Sequence, residues 1–309
     1  MSAEKIERLK KDKDAVLLVH NYQRPEIQDV GDFLGDSLNL ATEATRVKQS
    51  VIEFCGVDFM AESAKILNPE KTVLHPNANA KCPMAAMIDI EGLKRLKNEH
   101  PEAVVVAYVN TTAETKTLTD ICCTSANAVE VVKALPAKEI IFIPDENLGL
   151  WVQRFIPDKK FIFWPGYCHV HRDVEPEEVS ELREKYPDSI ILAHPECRPA
   201  VLDIVDEVRS TEGMVKYVKS SDANEFTIVT ERELVYRLQK ENPGKMFHLL
   251  ERAVCPAMKQ ITIDDVANCL ETGTPEVVLS EDVIEKARKP LERMVAVGRG
   301  EPLDRDIAR

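Results

Sequence analysis

A threefold internal repeat constrains the fold of this chain more than any other feature, because a repeated landmark implies a repeated structural unit. Three segments rich in β-branched residues, each ending in polar residues, lie at 15–20, 103–110 and 189–196. A hydroxyl residue follows the first polar residue of each end by 17 positions, at Ser37, Ser125 and Thr211. A cysteine follows each hydroxyl by 43 to 45 positions, and these cysteines, 86 and 87 residues apart, are Cys82, Cys168 and Cys255.

Between these landmarks the sequence alternates strand patterns and helix patterns, which is typical of a doubly wound, mostly parallel α/β sheet. The repeat therefore predicts three similar small α/β domains, at residues 1–85, 86–172 and 173–269. Helices within 270–309 are expected to join the first domain by packing back on it. Further buried strands are predicted at 71–75, 139–143, 160–164, 225–229 and 246–250.

The polar landmarks are predicted to meet at one place. Ligands of open α/β sheets bind beyond the carboxyl ends of the strands, where loops and helix starts converge. If the three domains pack around a pseudo-threefold axis with these edges inward, the three repeated cysteines and a ring of polar groups surround a central active site. An apolar face at helical spacing follows each repeated hydroxyl, so Ser37, Ser125 and Thr211 are interpreted as helix N-caps.

Three converging cysteines provide soft ligands that suit an iron–sulfur cluster or zinc. An electron-carrying [4Fe-4S] cluster takes four cysteines. Three would leave one iron open to a substrate oxygen, which indicates Lewis-acid dehydration rather than electron transfer. The eight cysteines include no C-x-x-C pair, and five without counterparts in the other units are interpreted as packing residues: Cys55, Cys122, Cys123, Cys197 and Cys269.

Other residue types near the landmarks indicate anion binding and acid/base chemistry. Helix N-termini hold phosphate or carboxylate through unpaired N–H groups, without Lys or Arg. His194 and Glu196 are two residues apart, and on one strand they would share a face as an acid/base pair. Tyr22 and Tyr108 offer phenols that polarise or protonate an oxygen.

Composition excludes several classes of protein. Acidic residues outnumber basic ones by 53 to 40, for a formal net charge of −13, which argues against a nucleic-acid partner. No apolar run approaches the roughly 20 residues of a membrane helix. The charged start lacks the apolar region of a secretory signal, so we expect a cytoplasmic protein with reduced cysteines.

Ten short motifs are spread over nearly the whole chain. They are HNYQ at 20–23, GDS at 35–37, AKCPMA at 80–85, AYVNTTAETK at 107–116, CTSANA at 123–128, WPGYCHVH at 164–171, HPEC at 194–197, STEGM at 210–214, FTIVTE at 226–231 and CPAMK at 255–259. Together these motifs resemble the quinolinate synthase family, in its compact archaeal and thermophile type.

The resemblance implies a definite reaction. Iminoaspartate and dihydroxyacetone phosphate would condense to quinolinate, with loss of phosphate and water, in de novo NAD biosynthesis. An enzyme that produces iminoaspartate would be the functional partner. One [4Fe-4S] cluster per chain, whose fourth iron is the Lewis acid, would be held by Cys82, Cys168 and Cys255.

The resemblance also implies the residues around the substrates. Substrate contacts would be made by His20, Ser37, Tyr108, Val109, Asn110, Ser125, His194, Pro195, Glu196 and Thr211. Tyr22, His171 and Ser210 match positions in or beside the pocket. The residues expected to act in catalysis are Glu196, Tyr22, His194 and Tyr108.

Two alternatives stay open from the residues alone. An aconitase-like hydro-lyase also uses a three-cysteine cluster with an open iron, and its substrate need not carry phosphate. A cluster carrier or redox protein would store or pass on the cluster. Such a carrier would not need tyrosines, helix starts and a His/Glu pair around the metal.

Overall fold

The computed structural model of the chain describes residues 3–303 and residue 307. Within them lie three four-stranded parallel sheets. The first sheet contains β1 (Ala15–His20), β2 (Phe33–Gly35), β3 (Val51–Cys55) and β4 (Thr72–Leu74). The second contains β5 (Val104–Tyr108), β6 (Ile121–Cys123), β7 (Glu139–Ile143) and β8 (Lys160–Phe163). The third contains β9 (Ile190–Ala193), β10 (Glu207–Val208), β11 (Glu225–Val229) and β12 (Met246–Leu249).

Helices connect the strands and cover the sheets. They are α1 (Ala3–Asp12), α2 (Pro25–Gln28), α3 (Ser37–Ala44), α4 (Asp58–Leu67), α5 (Ile90–Glu99), α6 (Ala113–Lys116), α7 (Ala128–Ala134), α8 (Glu146–Gln153), α9 (His169–Arg172), α10 (Pro176–Lys185), α11 (Pro199–Leu202), α12 (Thr211–Ser220), α13 (Leu234–Glu241), α14 (Ile263–Thr272) and α15 (Glu281–Gly298).

The three sheets share one topology, which confirms the predicted fold class. In each, the order of strands across the sheet is second, first, third, fourth along the chain. Every residue of β1 and β5 is buried, as expected for central strands of a parallel sheet covered on both faces. All the strands predicted from apolar runs are present, with ends that differ by a few residues.

A second threefold feature ties each edge strand to its neighbour. An aspartate just before the edge strand accepts the backbone N–H of the adjacent central strand, at 2.8 Å in each sheet. The pairs are Asp32 with Leu17, Asp120 with Val105, and Asp206 with Ile191. These bonds lie toward the amino ends of the central strands, away from the edge where the cysteine loops begin.

The predicted N-caps are wrong. Asp36 caps α3 by accepting the N–H of Asn39 at 3.0 Å, and Ser210 caps α12 by accepting that of Gly213 at 3.1 Å. Ser37 and Thr211 are therefore the first residues inside their helices, and Ser125 precedes α7, whose N-cap is Asn127. Since Asp36 and Ser210 cap α3 and α12, and the N-cap side chain of α7 makes no capping bond, the three hydroxyls are left for other contacts.

The C-terminal stretch is helical, as predicted. Each sheet together with the helices that cover it is called a layer here. Helix α14 packs on α1 and α2 of the first layer. Helix α15 contacts α3 and α4 of that layer and also β6, α6 and α7 of the second. The end of the stretch predicted to join the first domain, at 304–306 and 308–309, lies outside the described residues. In the part of the chain that is described, no helix combines the length and apolarity needed to cross a membrane.

Candidate active site

A cavity of about 650 Å³ lies between the three layers, at the carboxyl ends of their strands. Thirteen of the residues predicted for the site line it: His20, Tyr22, Ser37, Cys82, Tyr108, Asn110, Ser125, Cys168, His171, His194, Glu196, Thr211 and Cys255. Each layer supplies one of the three cysteines and one of the three repeated hydroxyls. The sequence periodicity therefore corresponds to convergence in space.

Three predicted residues do not line this cavity. Val109 is buried and lines a smaller neighbouring cavity, while its N–H bonds the carbonyl of Cys123 at 2.8 Å. Pro195 is buried between His194 and Glu196. Ser210 caps α12 and faces pockets beside the main cavity.

Sequence reasoning missed several lining residues. They are Asp36, Val57, Phe59, Met60, Met84, Thr124, Val170 and Met258. Val57, Phe59 and Met60 follow β3, a strand that the sequence did not predict. Met84 and Met258 follow their cysteines by two and three residues in the CPM and CPAM segments, a recurrence that could have found them.

The three cysteines occupy loops beyond the last strand of each sheet. Burial raises the pKa of the Cys82 thiol to about 12, and burial raises the pKa values of Cys168 and Cys255 as well. Opposing this, nearby backbone N–H groups lower the pKa values, those of Ala85 and Met84 for Cys82 and those of Met258 and Ala257 for Cys255. Buried thiols supplied with N–H donors fit a metal centre, because a bound cation makes the thiolate the stable form.

A tighter group of metal-ligand types also exists. The ligand atoms of Cys168, His171 and Glu196 all lie within 4.8 Å of one another, as in a site for a single ion. Cys168 thus belongs both to this compact group and to the threefold cysteine set. The two arrangements differ chemically, because a single ion needs neither sulfide nor the other two cysteines.

Glu196 lies against two histidines. Its Oε2 is 2.6 Å from Nδ1 of His171 and 3.2 Å from Nδ1 of His194, and the two imidazole rings stack at 4.4 Å. Burial pushes the pKa of Glu196 up, but the two histidines outweigh that effect and hold it below its usual range. Oε1 of Glu196 is buried with no hydrogen-bond partner among the described residues, so an ionised oxygen is available to a bound molecule.

The reason given for the His194–Glu196 pair is wrong, although the contact is present. Strand β9 ends at Ala193, so both side chains belong to the loop that follows. They meet because the chain turns there, with the N–H of Cys197 bonded to the carbonyl of His194 at 3.0 Å.

A hydroxyl that the sequence did not single out extends this pair. Oγ1 of Thr230, just past β11, lies 2.6 Å from Oη of Tyr22 and 2.8 Å from Nε2 of His171. Thr230 thereby connects the phenol of the first layer to the histidine and carboxylate. The FTIVTE motif contained this residue, but nothing in the sequence showed which partners it would have.

Other polar groups in or beside the cavity are held neutral or make contacts between layers. Burial lowers the pKa of His20 to about 3 and raises the pKa values of Tyr22 and Tyr108 well above 10.0. Nε2 of His194 lies 3.2 Å from Oγ of Ser125 in the second layer. Lys259 donates to the carbonyl of Tyr22 in the first layer at 2.5 Å.

Three α/β layers with parallel sheets around one cavity, lined by thiols, a carboxylate and buried imidazoles, define an enzyme with its active site between the sheets. A family model described as quinolinate synthetase A protein matches residues 4–296. The chain belongs to this family.

Individual relatives match along nearly their full length. The quinolinate synthase of Thermodesulfovibrio yellowstonii is 46% identical over 297 residues, which cover 96% of this chain and 98% of that protein. The quinolinate synthase of Pelobacter propionicus is 50% identical, with the same coverage of 96% and 98%. That of Methanosarcina barkeri is 50% identical over 95% of this chain and 97% of its own.

Proposed function

We propose that the protein is a quinolinate synthase that condenses iminoaspartate with dihydroxyacetone phosphate, releasing phosphate and two waters, in de novo NAD biosynthesis. The observation that carries the proposal is one cavity that receives a cysteine and a hydroxyl from each of three layers together with Glu196. The relatives named above bear the name of this activity. Neither a hydro-lyase nor a cluster carrier accounts for that family match.

Cys82, Cys168 and Cys255 would hold one [4Fe-4S] cluster. Their thiols come from three separate layers, which suits a cluster that is larger than a single ion, and thiolates are the ligands such clusters take. When bound, a cluster with one open iron supplies a Lewis acid that polarises a hydroxyl or carboxylate oxygen.

The hydroxyls at the cavity would bind and orient two small anions. Ser37 and Thr211 begin α3 and α12, where unpaired backbone N–H groups and the helix dipole favour negative charge. Ser125 adds a third hydroxyl from the second layer, next to His194. Holding both substrates in one closed space replaces a bimolecular encounter by an effectively intramolecular reaction.

Proton transfer would centre on Glu196. Its unpartnered Oε1 is suited to take a proton from the carbon skeleton during isomerisation, while His171 and His194 hold the other oxygen. Tyr22, kept neutral by burial, would donate a proton to an oxygen that leaves as water. Tyr108 and Asn110 complete the wall of the second layer.

The direct test is quinolinate formation by anaerobically reconstituted protein from dihydroxyacetone phosphate and iminoaspartate generated in situ. Iron and sulfide are measured on the same sample. We expect product from protein that holds four irons and four sulfides per chain, as the [4Fe-4S] stoichiometry requires. A loaded protein without product would overturn the proposal and put the hydro-lyase first.

Two variants test the metal centre and the general base separately. Cys82→Ser should abolish sulfide binding if a cluster is present, whereas an ion held by Cys168, His171 and Glu196 would survive. Glu196→Gln should keep iron and sulfide and lose turnover by about 10²-fold or more, the scale of a general base. Full turnover in Glu196→Gln would remove Glu196 from the acid/base role.

The proposal includes the setting of the reaction. We propose that the enzyme acts in the cytoplasm, where reducing conditions keep cysteines available to a cluster. Its functional partner would be an enzyme that produces iminoaspartate.

A further inference from the structure

The backbone N–H of each of the three cavity cysteines donates to a carboxylate that lies 23 or 24 residues earlier in the chain. Cys82 bonds Oδ1 of Asp58 at 3.1 Å. Cys168 bonds Oδ2 of Asp145 at 3.0 Å. Cys255 bonds Oε1 of Glu231 at 3.3 Å. The three acids thus form a threefold set of their own.

The three carboxylates occupy equivalent places in the fold. Each lies two or three residues past the third strand of its sheet, before or at the start of the following helix, α4, α8 or α13. Asp145 and Glu231 are fully buried, and Asp58 is partly buried. Loops are in general more mobile than the strands and helices that they connect, so these carboxylates are well placed to anchor the cysteine loops.

A second bond clamps each cysteine loop to the same place. The backbone carbonyl two residues before each cysteine accepts a hydrogen bond. The donor is the backbone N–H of the acidic residue itself or of the residue that follows it. These bonds are Asp58 to Ala80 at 2.9 Å, Glu146 to Gly166 at 3.0 Å and Arg232 to Ala253 at 2.9 Å. Every cysteine loop is therefore held by one carboxylate bond and one backbone bond.

We propose that Asp58, Asp145 and Glu231 are positioning residues that fix the three cysteine loops, so that the thiols face one another before a cluster binds. The inference rests on the cluster named in the proposed function. Its physical basis is that a hydrogen bond to a carboxylate is roughly twice as strong as a neutral one. Without that acceptor, the N–H of the cysteine loses its partner and the loop is free to turn the thiol away.

Asp58 gives the sharpest test, since its Oδ1 has one further bond, from the N–H of Phe59 at 2.9 Å, whereas Asp145 also caps α8 through Leu148 and Glu231 also pairs with Lys259. Asp58→Ala removes the acceptor, whereas Asp58→Asn keeps an acceptor oxygen of the same shape. A matched control is Asp120, which accepts the N–H of Val105 at 2.8 Å in the same way but at the far end of a sheet. The control variant is Asp120→Ala.

The experiment measures iron and sulfide per chain, the cluster absorption and electron paramagnetic resonance spectra, and the rate of iron loss to a chelator. Asp58→Ala should lose iron about tenfold faster than wild type, the scale of one charge-assisted hydrogen bond. Asp58→Asn should lose iron at a rate between those of wild type and Asp58→Ala, because a neutral acceptor oxygen keeps only about half of the bond strength. Asp120→Ala should lower the unfolding temperature while its cluster is lost at the wild-type rate.

Two outcomes would overturn the inference. One is an Asp58→Ala protein that keeps its cluster as long as wild type does. The other is an Asp120→Ala protein that loses iron as fast as Asp58→Ala, because a general loss of stability would then explain both. A wild-type protein that carries the cluster but makes no quinolinate would overturn the proposed function alone. Iron and sulfide content, cluster spectra and the rate of iron loss do not depend on turnover. They would therefore still support or overturn the positioning role in that case.

Discussion

At the scale of single residues, the hydroxyl of Thr230 connects groups that the sequence places far apart. Nδ1 of His171 lies 2.6 Å from Oε2 of Glu196, and when Nδ1 carries the proton of the neutral ring, Nε2 must accept. Thr230 has one proton, so it then donates to His171 and accepts from Tyr22. When His171 is protonated, both bonds of Thr230 reverse. The hydroxyl can therefore pass a proton between Tyr22 and the pair of His171 and Glu196 in either direction.

The first prediction tests this relay. Thr230→Val keeps the shape of the side chain but removes the hydroxyl, and kcat should fall by about 10²-fold with little change in KM, the scale of general acid–base catalysis. Thr230→Ser should restore most of kcat. Steady-state kinetics measure both, with iron and sulfide content as the control for an intact site. Wild-type kcat in Thr230→Val would show that protons reach Glu196 by another route.

A second prediction concerns Glu53, which lies in β3 away from the cavity. It is fully buried, and neither carboxylate oxygen accepts a hydrogen bond of normal geometry in the described residues. Burial raises the pKa of Glu53 well above 4.5, opposed only by the Cys269 thiol. Between the unfolded and folded pKa values, the unfolded chain releases this proton and the native protein keeps it, so the native state loses stability as the pH rises.

Glu53→Gln removes that pH dependence while keeping the size of the side chain. The free energy of unfolding of the variant relative to wild type should grow by up to about 1.4 kcal/mol per pH unit above the unfolded pKa. Urea unfolding between about pH 5 and 8 measures it, over a range where ordinary carboxylates are already ionised. A constant difference across this range would mean that Glu53 is ionised in the native protein.

At the scale of elements, capping and cavity lining fall to adjacent residues at the starts of α3 and α12. Asp36 and Ser210 cap the two helices, whereas the next residues, Ser37 and Thr211, line the cavity. Ser210→Ala should lower the free energy of unfolding by about 1 kcal/mol, the usual cost of losing an N-cap, with KM nearly unchanged. Thr211→Val should raise KM with a smaller loss of stability. Thermal unfolding and steady-state kinetics on the same samples test both predictions. A larger loss of stability in Thr211→Val than in Ser210→Ala would mean that Thr211 is the cap.

Sequence patterns predicted some elements of this fold and missed or misplaced others. Apolar runs such as 139–143 and 225–229 marked the inner strands, because parallel strands buried on both faces are continuously apolar. Strand β3 was missed because Glu53 interrupts its apolar run, and β2, β6 and β10 have only two or three residues, too few for a periodic pattern. The cap was misplaced because Asp36–Ser37 and Ser210–Thr211 each offer two capping residues, and spacing alone does not choose between neighbours.

At the scale of the whole molecule, the first two layers share a large core, to which the third layer contributes Ala257 and Met258. One continuous apolar cluster includes Leu18 of β1, Val106 of β5 and Leu291 of α15, whereas the third layer has clusters of its own. Polar contacts such as Lys259 with Tyr22 and His194 with Ser125 connect the third layer to the others at the cavity. The repeat predicted three similar units, but not this difference, because the repeated landmarks do not include α15.

Helix α15 is therefore expected to hold the first and second layers together. Leu291 is fully buried within the shared core, so Leu291→Ala should lower the free energy of unfolding by about 2 to 5 kcal/mol through lost burial and a residual cavity. Glu285→Ala, on the exposed side of the same helix, should change it by no more than about 0.5 kcal/mol. Urea unfolding followed by circular dichroism measures both. Since α15 contacts both layers, the loss should appear as one shifted transition, and a separate early transition would instead mean that the two layers unfold independently.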